Sequence, residues 1–355
     1  MSNSDLYFQG SSGCIFRPNI PCSNSKKKRS TKKITKLFIS KNKEYEIGLK
    51  IKKIKDHKKW TILWDKTCLS PTYEKLLKNT DIEQCLRSLD FNTDTIRDEQ
   101  QFTLYQGVYG GISLHDYSKQ LVKNRTFYSK DEFIRTFKKL FKLIGNVFHG
   151  LRQLNKNKIC HHDINSNNII VKDNKSYIID YDISLEIDKS LSSNSFLNNR
   201  INQEYNSYRI YEPYPFEYLY INIKGSDIES EQKELALYQR RFNYYESYEP
   251  IHHKLFNIDT DNLRFELLED KLLNVNKQDI VDLIDKLDVY SLGMLLLLLY
   301  NDLSISYDIP TQTLISLFKL KELKPYMNLL EDMITFDYRD RIDIHEAYER
   351  YKNLI

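Results

Sequence analysis

Cys160-His161-His162-Asp163-Ile164-Asn165-Ser166-Asn167-Asn168-Ile169-Ile170-Val171, with Tyr177-Ile178-Ile179-Asp180-Tyr181-Asp182 close behind, is the stretch on which the reading of this chain turns. It follows a long amphipathic segment, Lys130 to Leu154, in which Phe133, Phe137, Leu140, Phe141, Ile144, Val147 and Leu151 recur at helical spacing. Asn168–Val171 and Tyr177–Ile179 read as two short strands. Asp163 and Asn168 therefore lie on a short connection between helix and strand, and Asp180 ends an apolar strand.

Working outward, the chain has 355 residues, of which 41% are hydrophobic and 29% charged, an ordinary globular composition long enough for more than one domain. A net charge of +4 makes no case for nucleic acid. The basic run Lys26, Lys27, Lys28, Arg29, Lys32, Lys33 reads first as a solvated loop, with nuclear targeting or an anionic partner as competing readings. Five scattered cysteines without a C-x-x-C pair suggest neither a zinc site nor a disulfide framework, and fit a reducing compartment. No secretory signal is visible. The apolar run Leu292–Tyr300 is too short for a membrane span and reads as a buried helix, so a cytoplasmic protein is expected.

The first hundred-odd residues read as a sheet with one helix. Tyr7–Phe8 and Ile15–Phe16 flank a Gly/Ser turn, and Ile34–Ile39, Trp60–Trp64 and Gln101–Val108 are strand-like. Ile47, Ile51 and Ile54 mark a helix. Helical patterns dominate from Glu217 onward, after a Ser/Asn-rich loop from 184 to about 208. The expected architecture is α+β, a small β-rich lobe (1–108) followed by a larger helical lobe (109–355).

Phosphoryl transfer needs a base near the attacking hydroxyl, oxygen ligands for magnesium, and positive donors on the phosphates. Asp163 answers the first need; Asn168 and Asp180 answer the second. Each residue taken alone is equally a polar turn residue. Together, H-x-D-x-x-x-x-N followed by a strand ending in Asp resembles the catalytic loop and D-F-G segment of eukaryotic-type protein kinases. Four further segments fall in order. Asp288-Val289-Tyr290-Ser291-Leu292-Gly293 resembles D-V-W-S-x-G, whose Asp anchors the catalytic-loop backbone. Tyr214-Pro215-Phe216-Glu217 resembles A-P-E. Asp337-Tyr338-Arg339-Asp340-Arg341 resembles D-P-x-x-R, implying a buried Arg341–Glu217 pair. Tyr105 to Leu114 resembles a hinge strand and the G-G-x-x-L after it.

The resemblance implies a bilobal kinase-like fold using ATP and Mg2+ (or Mn2+). Gly10-Ser11-Ser12-Gly13 would cover the triphosphate, which makes Leu6–Pro18 native sequence rather than a cloning scar. Lys36 would bind the α- and β-phosphates. Ile34 and Phe38 share its face of the strand, which favours it over Lys32 and Lys33. Its helix partner would be Glu44, followed by Ile47 and Ile51, with Glu46 the alternative. Ile15, Tyr105, Gln106, Val108 and Ile170 would complete the nucleotide site, Asn168 and Asp180 would hold the metal, and Asp163 would orient the acceptor hydroxyl, with Asn165 beside it. The style is similar to Ser/Thr kinases of nucleocytoplasmic large DNA viruses, implying a host-cytoplasm or virion protein that acts on protein substrates.

Four departures bear on activity. Asn165 stands where Ser/Thr kinases carry a lysine on the transferring phosphate, and Phe8 where the first glycine is expected. His162 replaces the arginine that grips a phosphorylated activation loop, so loop phosphorylation is not expected to control the chain. Asp182 replaces the D-F-G glycine as a turn residue or an extra carboxylate near magnesium. Residues 222–284 read as an insertion available to a partner or to packing. A nucleotide-binding pseudokinase and a small-molecule phosphotransferase on the same fold remain the competing functions.

Overall fold

The structure, a computed structural model, describes residues 5–9, 13–25, 29–38, 43–76, 80–88, 97–188, 197, 199, 211–215, 251–257, 277–335 and 337–355. It is mixed α+β, with an antiparallel sheet in the N-terminal part and a helical C-terminal part. Its contacts divide it into two units: residues 1–111 with 179–183, and 112–178 with 184–355. The expected division fell after Val108 and left 179–183 with the helical part.

In the small unit the strands β1 (Asp5–Gln9), β2 (Gly13–Arg17), β3 (Lys33–Phe38), β4 (Lys66–Leu69) and β5 (Thr103–Val108) form one sheet in the order β1-β2-β3-β5-β4. Helices α1 (Glu44–Ile51), α2 (Tyr73–Leu76) and α3 (Thr80–Ser88) complete it. The register puts Ile15 opposite Lys36 and Lys36 opposite Tyr105. These three therefore share one sheet face. Thr35 and Gln106, one residue along, take the other face, where both side chains donate to the Ile20 carbonyl. Gly13 owes its identity to packing, because a Cβ there would stand 2.5 Å from the Leu37 carbonyl oxygen across the ladder. A core of Phe16, Ile20, Leu37, Tyr73, Ile82, Leu86, Phe102 and Leu104 lies under the sheet.

Two expectations fail here. Trp60–Trp64 is not a strand; the neighbouring strand is Lys66–Leu69, and Trp60 is fully buried. The cysteines do form a disulfide framework. Cys14–Cys85 joins β2 to α3, and Cys22–Cys68 joins the chain after β2 to β4. Only Cys160, buried in the other unit, stays free. The partners are 71 and 46 residues apart, so no local spacing reveals them. Paired cysteines also remove the ground for expecting a reducing compartment.

The large unit begins with β6 (Ile112–Ser113) and α4 (Leu114–Leu121), capped by Ser113, whose hydroxyl accepts from the Asp116 amide at 3.0 Å. The expected single helix from Lys130 to Leu154 is two, α5 (Lys130–Leu143) and α6 (Gly145–Lys156). Ser129 caps α5 with Glu132 three residues on. The break falls beside Gly145, where a Cβ would collide with the Tyr351 hydroxyl. Next come β7 (Ile159–Cys160), β8 (Ile169–Lys172), β9 (Lys175–Ile178) and β10 (Leu185–Glu186). After them lie α7 (Ile251–Phe256), α8 (Lys277–Asp285), α9 (Leu287–Ser306), α10 (Thr311–Phe318), α11 (Lys324–Met333) and α12 (Ile344–Lys352). Helix α9 is apolar all round and correspondingly buried along most of its length. Among the described residues no helix is long and apolar enough to cross a membrane. Residues 26–28, 189–196, 198 and 200–210, and most of 222–284, lie outside the described residues, and with them most of the expected Ser/Asn-rich loop and of the expected insertion.

Candidate functional site

The residues singled out above fall into two sets, one in each unit. In the small unit Lys36 is 4% exposed, while Lys32 is exposed and Lys33 half-buried. Its ammonium donates to Glu44 Oε2 and to Asp180 Oδ1, each at 3.0 Å. Glu44 opens α1 and turns inward; Glu46, two residues on, points to solvent. Glu44 is held from a second side by Trp64, whose Nε1 donates to Oε1 at 2.6 Å. Nothing in the sequence tied Trp64 to Glu44. Asp180 sits at φ 64°, a left-handed conformation that costs free energy in a non-glycine residue. The neighbouring Tyr181 is buried and its hydroxyl donates to Thr61 at 2.8 Å, which helps hold that turn.

Burial alone would lower the Lys36 ammonium, but Glu44, Asp180 and Asp182 around it hold it well above its ordinary value. Asp182 thus adds its charge to this cluster. Burial pushes the Glu44 carboxyl from 4.5 up to about 7, against the pull of Lys36. The folded chain therefore keeps a proton on Glu44 between these values that the unfolded chain has lost. Stability contributed at Glu44 is expected to fall as pH rises from about 4.5 through about 7. Melting curves across that window should slope more steeply for the wild type than for Glu44→Gln; parallel curves would contradict the assignment.

Tyr105 is buried on the Lys36 face, its ring 4.4 Å from that of Phe38. Ile15 faces Lys36 across the ladder, and Val108 is 45% exposed at the end of β5. The Gln106 side chain is committed to the opposite face, so Gln106 has only its backbone to offer on the Lys36 side. Gly10, Ser11 and Ser12 lie outside the described residues, between paired strands β1 and β2.

In the large unit the Asp288 carboxylate, near the start of α9, accepts from the His161 amide at 2.6 Å and the His162 amide at 2.9 Å. This anchors the backbone that carries Asp163. Burial pushes the Asp288 carboxyl and the adjoining Cys160 thiol up. His162 lies at φ 71°, strained for a bulky residue, and is fixed from both sides. Its carbonyl accepts from the Tyr214 hydroxyl at 2.7 Å, and its ring stacks on Tyr214 at 5.2 Å. His162 thus occupies a buried packing position.

Asp163 is surrounded by amide donors. Asn168 Nδ2 donates to its Oδ2 at 2.7 Å and to its carbonyl at 3.0 Å; Asn165 Nδ2 donates to its Oδ1 at 2.9 Å. Asn168 spends its nitrogen on Asp163, which leaves its carbonyl oxygen as the end suited to a hard cation. Ile170 is half-buried on β8. Among the described residues no three His, Cys, Asp or Glu gather as a metal cluster. Asn168 and Asp180 lie in different units, and each side chain carries an oxygen of the kind a hard cation accepts. Arg341 is buried, donating to the Thr335 carbonyl and lying over the Tyr290 ring at 4.9 Å, while Glu217 lies outside the described residues.

No protein-family model matches the chain, and no curated protein matches it either.

Proposed function

We propose that the chain is an ATP-dependent protein kinase that transfers the γ-phosphate to Ser/Thr hydroxyls of proteins. The observation that carries this reading is Lys36, buried between Glu44 and Asp180, whose carboxylates each accept from its ammonium. Burying an ammonium is costly unless carboxylates pay for it, and two here stand at 3.0 Å. Such a lysine is fixed in direction and permanently charged, as a phosphate ligand must be. On the other unit, Asp163 is a carboxylate held by donors on an anchored loop, as a base that orients a hydroxyl must be. Mg2+, held by Asn168 and Asp180, would neutralise charge on the transferring phosphate.

Asn165 favours the pseudokinase as the second reading, since a neutral amide replaces a cation at a position where such donors matter most. The test is transfer of labelled phosphate from ATP with Mg2+ to generic basic and acidic proteins. Label on Ser or Thr, abolished by both Asp163→Ala and Asp180→Ala, is expected. A melting temperature raised by ATP without transfer would establish the pseudokinase instead.

A further inference from the structure

Tyr211 belongs to none of the motifs above, yet its hydroxyl donates to Asp163 Oδ1 at 2.5 Å. Asn165 Nδ2 donates both to that same Oδ1, at 2.9 Å, and to the Tyr211 hydroxyl, at 3.0 Å. The three groups close a triangle. A carboxylate oxygen has two lone pairs, so two donors fill Oδ1. Oδ2 receives Asn168 Nδ2 at 2.7 Å and keeps an acceptor site. The two oxygens of the base are therefore not equivalent.

The phenol is aimed by groups that do not touch the base. The Pro213 carbonyl accepts from Ser291 of α9 at 2.7 Å. The Tyr214 amide donates to the Tyr211 carbonyl at 2.9 Å, and the Tyr214 hydroxyl to the His162 carbonyl at 2.7 Å. The rings of Tyr211 and Tyr214 meet edge-on at 4.7 Å. Residues 211–214 are thus pinned at both ends against the loop that carries Asp163, and turning the carboxylate would break three hydrogen bonds at once.

We propose that Tyr211 is a positioning residue for phosphoryl transfer: with Asn165 it locks Oδ1 of Asp163 and leaves Oδ2 to take the proton of the acceptor hydroxyl. The inference rests on the kinase reading of Asp163. In the step, the acceptor oxygen bonds the γ-phosphorus, the bond to the β,γ-bridging oxygen breaks, ADP leaves, and the acceptor proton passes to Oδ2. Two neutral donors here do for the carboxylate what one lysine ammonium at position 165 could do through a charge-assisted bond.

The experiment measures steady-state transfer from ATP with Mg2+ to a generic protein substrate, beside melting temperature. It uses the full chain as wild type, Tyr211→Phe, Asn165→Ala and the double variant Tyr211→Phe/Asn165→Lys. Tyr211→Phe is expected to lower kcat by about 10- to 100-fold with KM for ATP unchanged, the range for a misoriented catalytic group. Asn165→Ala should act in the same way, and so decides the matter if Tyr211→Phe does not fold. The double variant should recover most of the loss, which a merely structural tyrosine would not allow. An unchanged or raised kcat in Tyr211→Phe would overturn the inference, as would phosphate appearing on Tyr211 itself or a loss without rescue. Those outcomes leave the kinase reading standing. A wild type without transfer that Asp163→Ala abolishes would instead remove that reading, and this inference with it.

Discussion

Lys36→Met is expected to lower phosphate transfer by about 100- to 1,000-fold, the loss typical of removing one donor from a site where charge develops. The folded chain should survive the change. Methionine fills nearly the same volume, Asp180 is 35% exposed and keeps water, and Glu44 retains the Trp64 bond. Burial already pushes the Glu44 carboxyl up to about 7, so without the ammonium it takes a proton rather than remain a bare charge. Lys36→Arg separates charge from geometry. The planar guanidinium keeps the cation but cannot place it where a compact ammonium meets Glu44 and Asp180 together. Its melting temperature should lie above that of Lys36→Met, while its transfer stays low. Full transfer by either variant would mean that Lys36 is a structural ion-pair partner and nothing more.

The second large effect concerns stability. Reductant is expected to destabilise the small unit by about 2–5 kcal/mol for each bridge opened, because each closes a long loop in the unfolded chain. Its melting temperature should fall by roughly 10 °C or more. Replacing Cys14 and Cys85 by serine should reproduce part of the shift, and replacing Cys22 and Cys68 the remainder. Thiol titration of the unfolded, unreduced chain should find Cys160 alone reactive. Five titrating thiols, or a melting curve indifferent to reductant, would contradict the pairing. The bridges also bear on the site, since Cys14 follows Gly13 and sits one residue before Ile15, the cross-strand neighbour of Lys36.

Local periodicity made part of this legible in advance. Strand alternation singled out Lys36, because Ile34 and Phe38 on its own face marked that face as inward. Helical spacing chose Glu44 over Glu46 in the same way, through Ile47 and Ile51. The apolar run of α9 announced its burial, and Asp288 near its start was expected to hold the backbone next to Asp163, where it accepts from the His161 and His162 amides. What stayed hidden depends on contacts between positions far apart in the chain. Trp64 completes the shell of Glu44 from a segment read as a strand. The disulfide partners carry no local signature. Tyr211 lies in a Tyr-rich stretch where one aromatic looks like the next. Gly145, beside the helix break, makes room for Tyr351, which lies nearly the whole large unit away in sequence.

Lys36 and Asp163 lie in different units, and the kinase reading requires both to serve one reaction. Residues that act as a unit are far from additive, since losing either already removes what they achieve together. The measurement is therefore the transfer rate of Lys36→Met/Asp163→Ala beside the wild type and the two single variants. If both residues serve one phosphoryl transfer, the wild type is much faster than all three, and the double variant falls within about three-fold of the slower single one. A wild type no faster than the variants, or a double variant slowed by the product of the two single effects, would contradict it.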